Sequence, residues 1–160
     1  MHAFVTCRLD NGNALLNGVP NYFLQHLHSV HNCAARLVSP KPRYARASPI
    51  LSELHWLALK SRIILTILLL VYKSLNNLAS VYICDLLNYY KPDRNLRSVG
   101  QGILTIPRSN QRNYGGRAFR VAAPKLWNTL PLDIRNSGSI ALFKSRAKTF
   151  LFKKSYLQFL

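Results

Sequence analysis

The residues best equipped for chemistry in this chain are cations set among aromatic rings. Arg108, Arg112, Tyr114, Arg117 and Arg120 form one cluster, and Tyr89, Tyr90 and Lys91 form another. Further on, Lys144 and Lys148 stand four residues apart, which places them on one face of a helix. Guanidinium and ammonium groups neutralise phosphates and release their counterions, and tyrosine rings stack on unpaired bases. Nothing in the spacing reads base sequence. The chemistry expected of Arg108, Arg112, Arg117, Arg120, Lys144 and Lys148, with Tyr114 as a stacking ring, is therefore non-specific, salt-sensitive contact with the backbone of RNA or DNA. The competing reading of each tyrosine is a half-buried core residue.

Other constellations carry less. His26-x-His28-x-x-His31-x-Cys33 holds four potential metal donors, but on a helix His26 and Cys33 point away from the His28/His31 pair. The spacing matches no zinc pattern, so the histidines read as an exposed helix face and no metal site is assigned. The five carboxylates, Asp10, Glu53, Asp85, Asp93 and Asp133, are dispersed, which leaves no pair for acid–base or two-metal work. No nucleophile elbow is present. Gly100-Gln101-Gly102 and Gly115-Gly116 read as turns, since neither fits a phosphate-binding loop. The expectation is a chain without cofactor, small-molecule substrate or enzymatic activity.

Charge supports the first reading. The chain carries 22 Lys and Arg against 5 Asp and Glu, net +17 over 160 residues. Residues 91–160 hold 14 of those cations and only 2 of the acids, so a contact surface for a polyanion belongs mainly there. A hydrophobic share of 49% excludes a disordered basic tail and suits one domain or parts of one. Cys7, Cys33 and Cys84 are odd in number and widely spaced, which suggests reduced thiols. With no secretory leader at the start, the expected location is intracellular, cytoplasm or nucleus. The sequence assigns no oligomeric state.

The elements that must position these residues are mostly helical. One helix end is expected within residues 2–16, weakened at Asn11-Gly12-Asn13, with a turn at Gly18-Val19-Pro20. Phe23, Leu24, Leu27, Val30, Ala34, Leu37 and Val38 give residues 21–38 helical spacing with one core face. Ser48-Pro49 reads as an N-cap followed by proline, His55-Trp56-Leu57 as a corner, and residues up to about Leu75 as a long, central helix. Ser80 is expected to cap a short helix through Leu87. Ile103 to Ile106 is the strand candidate, limited by Pro107. A short helix is expected over 124–127, a turn from Pro131, and a last helix capped by Ser139 with Leu142, Phe143, Ala147, Phe150 and Leu151 inward.

The fold class expected is mainly α, with a small extended or β segment near 103–107. The segments are a helical part over 1–38, a basic proline-containing linker over 39–47, a helical core over 48–88, a basic loop over 89–116 and a basic helical part over 117–160. The core should draw on Leu54, Trp56, Ile63, Ile67, Leu68, Val71, Phe119, Trp127, Phe143 and Phe150. The apolar run Ile63 to Tyr72 spans only roughly 15 Å as a helix, against roughly 30 Å of bilayer core. A membrane is thus not the expected partner.

Several segments, in order, carry a family resemblance. They include His2-Ala3-Phe4-Val5-Thr6-Cys7-Arg8-Leu9-Asp10, Asn13-Ala14-Leu15-Leu16 with Gly18-Val19-Pro20, and Asn32-Cys33-Ala34-Ala35-Arg36-Leu37-Val38. Glu53-Leu54-His55-Trp56-Leu57, Arg94-Asn95-Leu96-Arg97-Ser98 and Pro107-Arg108-Ser109 follow, then Tyr114-Gly115 with Arg117-Ala118-Phe119. Val121-Ala122-Ala123-Pro124-Lys125-Leu126-Trp127-Asn128-Thr129-Leu130-Pro131 and Phe143-Lys144 complete the set. Together they resemble the region downstream of the catalytic palm in LINE-type (non-LTR) retrotransposon reverse transcriptases. The resemblance covers nearly the whole chain.

The resemblance implies a thumb-like or post-thumb module that grips template RNA or the RNA–DNA hybrid. The family's metal-binding aspartates, including a Tyr-x-Asp-Asp motif, lie upstream of this region and have no counterpart here. Nor do the endonuclease portion and the terminal Cys/His knuckle of some relatives. The parent would be an RNA-directed DNA polymerase; this chain would be a non-catalytic fragment whose frame begins mid-domain. Asn11-Gly12 stands where the family has Tyr-Cys, His26, His28 and His31 where it has Gln or Arg, and Ala58 and Ala79 where it commonly has proline, which suggests drift in a decaying copy. The alternatives are a small basic membrane-associated protein using residues 63–72, or a remnant without activity.

Overall fold

The computed structural model describes residues 2–42, 44–91, 101–109 and 115–156, with side chains described from Val5 onward. Its elements in order are α1 (His2–Asp10), a 3-10 turn (Asn13–Leu16), α2 (Asn21–Val38), α3 (Ala47–Glu53), α4 (Leu59–Leu75) and α5 (Val81–Cys84). A second 3-10 turn (Gly115–Arg117), α6 (Phe119–Asn128), α7 (Leu132–Arg135) and α8 (Ile140–Tyr156) follow. The fold is mainly α; among the described residues the β structure is one antiparallel bridge, Tyr89 to Leu104. The chain divides into two compact units, Met1–Thr66 with Lys148–Leu160, and Ile67–Ala147.

In the first unit, Ala34 and Ala35 of α2 pack with Ile50, Leu51 and Trp56. Small residues at 34 and 35 let α3 approach α2 closely. The Tyr156 hydroxyl donates to the Trp56 carbonyl at 2.9 Å, and Arg62 holds the Asp10 carboxylate, with Nε donating at 2.9 Å. Gly12 ends α1 with a left-handed φ of 66°, which a glycine adopts freely.

Two expectations change here. The inward stripe of α2 is Leu24, His31, Ala34 and Ala35, whereas Phe23, Val30, Leu37 and Val38 are exposed. The apolar spacing allowed two stripes, and the small pair Ala34-Ala35 decides which one meets α3. Helix α3 starts at Ala47, with Arg46 at the cap position and no side-chain cap bond. Ser48 is thus inside the first turn, where Pro49 is tolerated because those N–H groups lack intrahelical partners.

The second unit centres on Phe143, fully buried. Its ring stacks on Tyr72 at 4.5 Å and on Trp127 at 5.7 Å. The Tyr72 hydroxyl donates to the Ser137 carbonyl at 2.7 Å. Helix α4 ends as expected at Asn76-Asn77, where Asn77 takes a φ of 56°. Its buried row of Ile63, Ile67, Leu68, Val71 and Tyr72 makes the apolar run core. No helix among the described residues is long and apolar enough to cross a membrane.

The expected strand at 103–106 is an extended segment clasped by side chains. Tyr90 N–H donates to Ile103 C=O at 2.8 Å and Thr105 N–H to Asn88 C=O at 2.9 Å. On its other edge the Asn128 carboxamide accepts from Leu104 N–H and donates to Leu104 C=O, both at 2.9 Å. One side chain thereby replaces a further strand. Trp127 Nε1 donates to Gly102 C=O at 2.9 Å, and Arg135 to Gln101 C=O at 2.6 Å.

Helix α6 begins at Phe119, five residues before the Pro124 expected to open it, and Pro124 lies buried within it. Burial of Val121, Ala122, Ala123 and Pro124 outweighs the single intrahelical bond that proline forgoes. Helix α5 stops at Cys84 instead of Leu87, and Ser80 makes no side-chain cap bond. Beyond it Leu86 and Leu87 N–H bond three residues back, to Ile83 and Cys84, which is turn geometry. Ser139 does cap α8, its Oγ accepting from Leu142 N–H at 3.2 Å. Leu142 is exposed, and Leu54, Phe119 and Phe150 are half-buried rather than full core residues.

Candidate nucleic-acid interface

Arg108 lies at the end of the extended segment and is exposed. Arg120 is exposed on α6, and Arg117 is half-buried in the Gly115–Arg117 turn. Lys144 and Lys148 are both exposed on α8, four residues apart and so on one helix face. Arg112 and Tyr114 lie outside the described residues, as do Arg94 and Arg97 of the family resemblance. Tyr89 and Tyr90 are exposed, at 50% and 46%, with Lys91 exposed beside them. Their rings are surface groups, and what fixes them is the main-chain pairing of Tyr90 with Ile103.

The structure brings Arg108 together with a residue that the sequence reading passed over, Lys125. Both line a concavity of about 360 Å3, with Ser109, Gly116 and Val121. Val121 and Lys125 are four residues apart and share one face of α6. A helix expected to start at Pro124 concealed that relation; a start at Phe119 reveals it. Neither Arg120 nor Lys144 lines this concavity, and Lys148 belongs to the first unit.

Several other cations serve the architecture. Arg36 donates to Ala45 C=O at 3.2 Å, Arg146 to Asp133 C=O at 2.8 Å, and Lys41 pairs with Glu53. With Arg62 on Asp10 and Arg135 on Gln101, these residues hold elements in place. That separates them from the exposed Arg108, Arg120, Lys125, Lys144 and Lys148.

No family model, curated protein or solved structure matches this chain.

The histidine cluster corrects one expectation. His26 is exposed and His28 half-buried, but His31 is buried and stacks on Trp56 at 5.8 Å. Among the described residues, no group of three His, Cys, Asp or Glu could hold a metal ion. His28 and His31 line a larger concavity in the first unit, about 630 Å3, with Asn32, Ser52 and Tyr156. Burial, and then the Lys60 ammonium, holds His28 below the usual imidazole range. Burial also pushes the Tyr156 phenol up to about 12. Both groups therefore stay uncharged at neutral pH, and no Lys or Arg among the described residues lines this concavity.

Proposed function

We propose that this chain is a non-catalytic C-terminal fragment of a non-LTR retrotransposon RNA-directed DNA polymerase that contributes non-specific contact with the backbones of RNA and DNA. The observation that carries the reading is the charge of the second half, where 14 cations face 2 acids and Arg108, Arg120, Lys125 and Lys144 are exposed. Such a surface attracts a polyanion by counterion release and needs no sequence readout. The exposed Tyr89 and Tyr90 add rings on which unpaired bases stack. The ordered family motifs support the origin, and Trp127-Asn128 within them clasps the segment that leads to Arg108.

The reading assigns no chemical step to this chain, because phosphoryl transfer by two metals needs clustered carboxylates. It also favours no membrane role: the apolar run 63–72 supplies Ile63, Ile67, Leu68, Val71 and Tyr72 to the core. An intracellular setting, cytoplasm or nucleus, follows from the same proposal.

Filter binding to RNA and to duplex DNA across a salt series tests it. Binding should weaken linearly in log–log form, by a slope of about 0.9 per phosphate contacted on duplex. Affinity indifferent to salt would contradict phosphate contact, and no binding at low salt would leave the inactive remnant as the better reading.

A further inference from the structure

The concavity that joins the extended segment to α6 has the chemistry of a phosphate subsite. Its cations come from two separate elements, Arg108 from the segment and Lys125 from the helix. A guanidinium grips a phosphate through paired N–H donors, while an ammonium acts as a point charge beside it. Ser109 stands at the same wall, and no carboxylate among the described residues lines the space. The rest of the described lining is Ile106, Pro107, Gly116 and Val121, an apolar wall that suits the carbon face of a sugar. The volume, about 360 Å3, is at the small end of ligand pockets, roughly 300–1,000 Å3. That size suits a nucleotide unit rather than a folded partner. Arg108 and Lys125 are both exposed, so a strand can reach both cations.

We infer that this concavity holds one phosphodiester of a nucleic-acid strand between Arg108 and Lys125, with the attached sugar against Pro107 and Val121. The assignment rests on the backbone-contact reading above and narrows it to one subsite. Gly116 offers a test that leaves charge alone. A Cβ built there meets nothing within 4 Å, and Gly116 lines the concavity. A bulky side chain at 116 therefore has room to begin and would obstruct the space with no change in net charge.

The experiment is fluorescence anisotropy of the full chain with a labelled single-stranded oligonucleotide, in RNA and DNA forms, from about 50 to 200 mM salt. The variants are Gly116→Leu, the pair Arg108→Gln/Lys125→Gln, and the pair Lys153→Gln/Lys154→Gln as an equal loss of charge elsewhere. Circular dichroism and thermal melting confirm that each remains folded. The subsite predicts that Gly116→Leu weakens binding by about threefold or more. Arg108→Gln/Lys125→Gln should weaken it about tenfold and flatten the salt slope by about 0.7, the share of the one phosphate they hold on a single strand. Lys153→Gln/Lys154→Gln should do less than half of that.

If the wild type binds but Gly116→Leu matches it and the two paired variants are equivalent, the subsite is wrong and diffuse backbone binding stands. If the wild type binds neither strand at the lowest salt, both readings fall. Flotation with phosphatidylserine vesicles closes the remaining route. Vesicle binding lost in Gly116→Leu, with oligonucleotide binding unchanged, would assign the concavity to a lipid headgroup and overturn the proposal.

Discussion

Among the described residues of the second unit, Asn128 is a polar side chain with large structural consequence. Its carboxamide satisfies both main-chain groups of Leu104 at 2.9 Å, and Leu104 is only 1% exposed. Asn128 is itself only half-buried, so its removal leaves a donor and an acceptor of Leu104 without protein partners and only partly open to water, at about 1–3 kcal/mol each. Asn128→Ala should therefore destabilise the chain by about 2–4 kcal/mol in urea unfolding. Asn128→Asp should be at least as damaging at neutral pH: a carboxylate still accepts from Leu104 N–H but has no donor for Leu104 C=O. A cost for Asn128→Ala under about 0.5 kcal/mol would show that the clasp contributes nothing net. In the sequence Asn128 stands just past the short helix expected over 124–127, with nothing local to assign it a partner. Its acceptor–donor pair has meaning only against the main chain of residue 104, 24 residues away in sequence.

At the scale of elements, what was legible is what local chemistry decides. The period of α4 and its stop at Asn76-Asn77 follow from repeating apolar positions and a left-handed Asn77, and the cap of α8 follows from Ser139. What tertiary contact decides was not legible. Helix α2 carries Phe23, Val30 and Leu37 every seven residues on an exposed stripe, and periodicity alone cannot rank that stripe against the one holding His31 and Ala35. The early start of α6 was hidden for the same reason, and with it the pairing of Lys125 with Arg108 across the concavity. The three serines Ser48, Ser80 and Ser139 make the contrast concrete. All precede helical residues in the reading, but only Ser139 bonds a helix N–H through its side chain. Ser139→Ala should thus cost about 1 kcal/mol, and Ser139→Asp should hold stability within about 0.5 kcal/mol, since a carboxylate both accepts the bond and complements the helix dipole. An unchanged urea midpoint for Ser139→Ala would show that α8 frays at its start without consequence for the fold.

For the whole molecule, the excess of cations acts on folding and on binding in opposite directions. A net +17 repels itself in the compact state. Among the described residues only two ion pairs oppose this, Lys41–Glu53 and Arg62–Asp10. Salt therefore screens more repulsion than attraction as the Debye length shrinks from about 30 Å at 0.01 M to about 8 Å at 0.15 M. Over that range the melting temperature should rise, by about 2–4 °C for each kcal/mol of repulsion relieved. Nucleic-acid affinity should fall over the same range, because the added cations oppose counterion release. A saturating oligonucleotide should accordingly raise the melting temperature at low salt, where free ligand at about 100 times Kd contributes about 2.7 kcal/mol, and lose that effect at high salt. Differential scanning calorimetry with and without oligonucleotide at both salt concentrations separates the two terms. A melting temperature that falls with salt in the free chain would mean that ion pairs, not self-repulsion, dominate its electrostatics. The exposed cations could then no longer be treated as a surface left uncompensated for a polyanion.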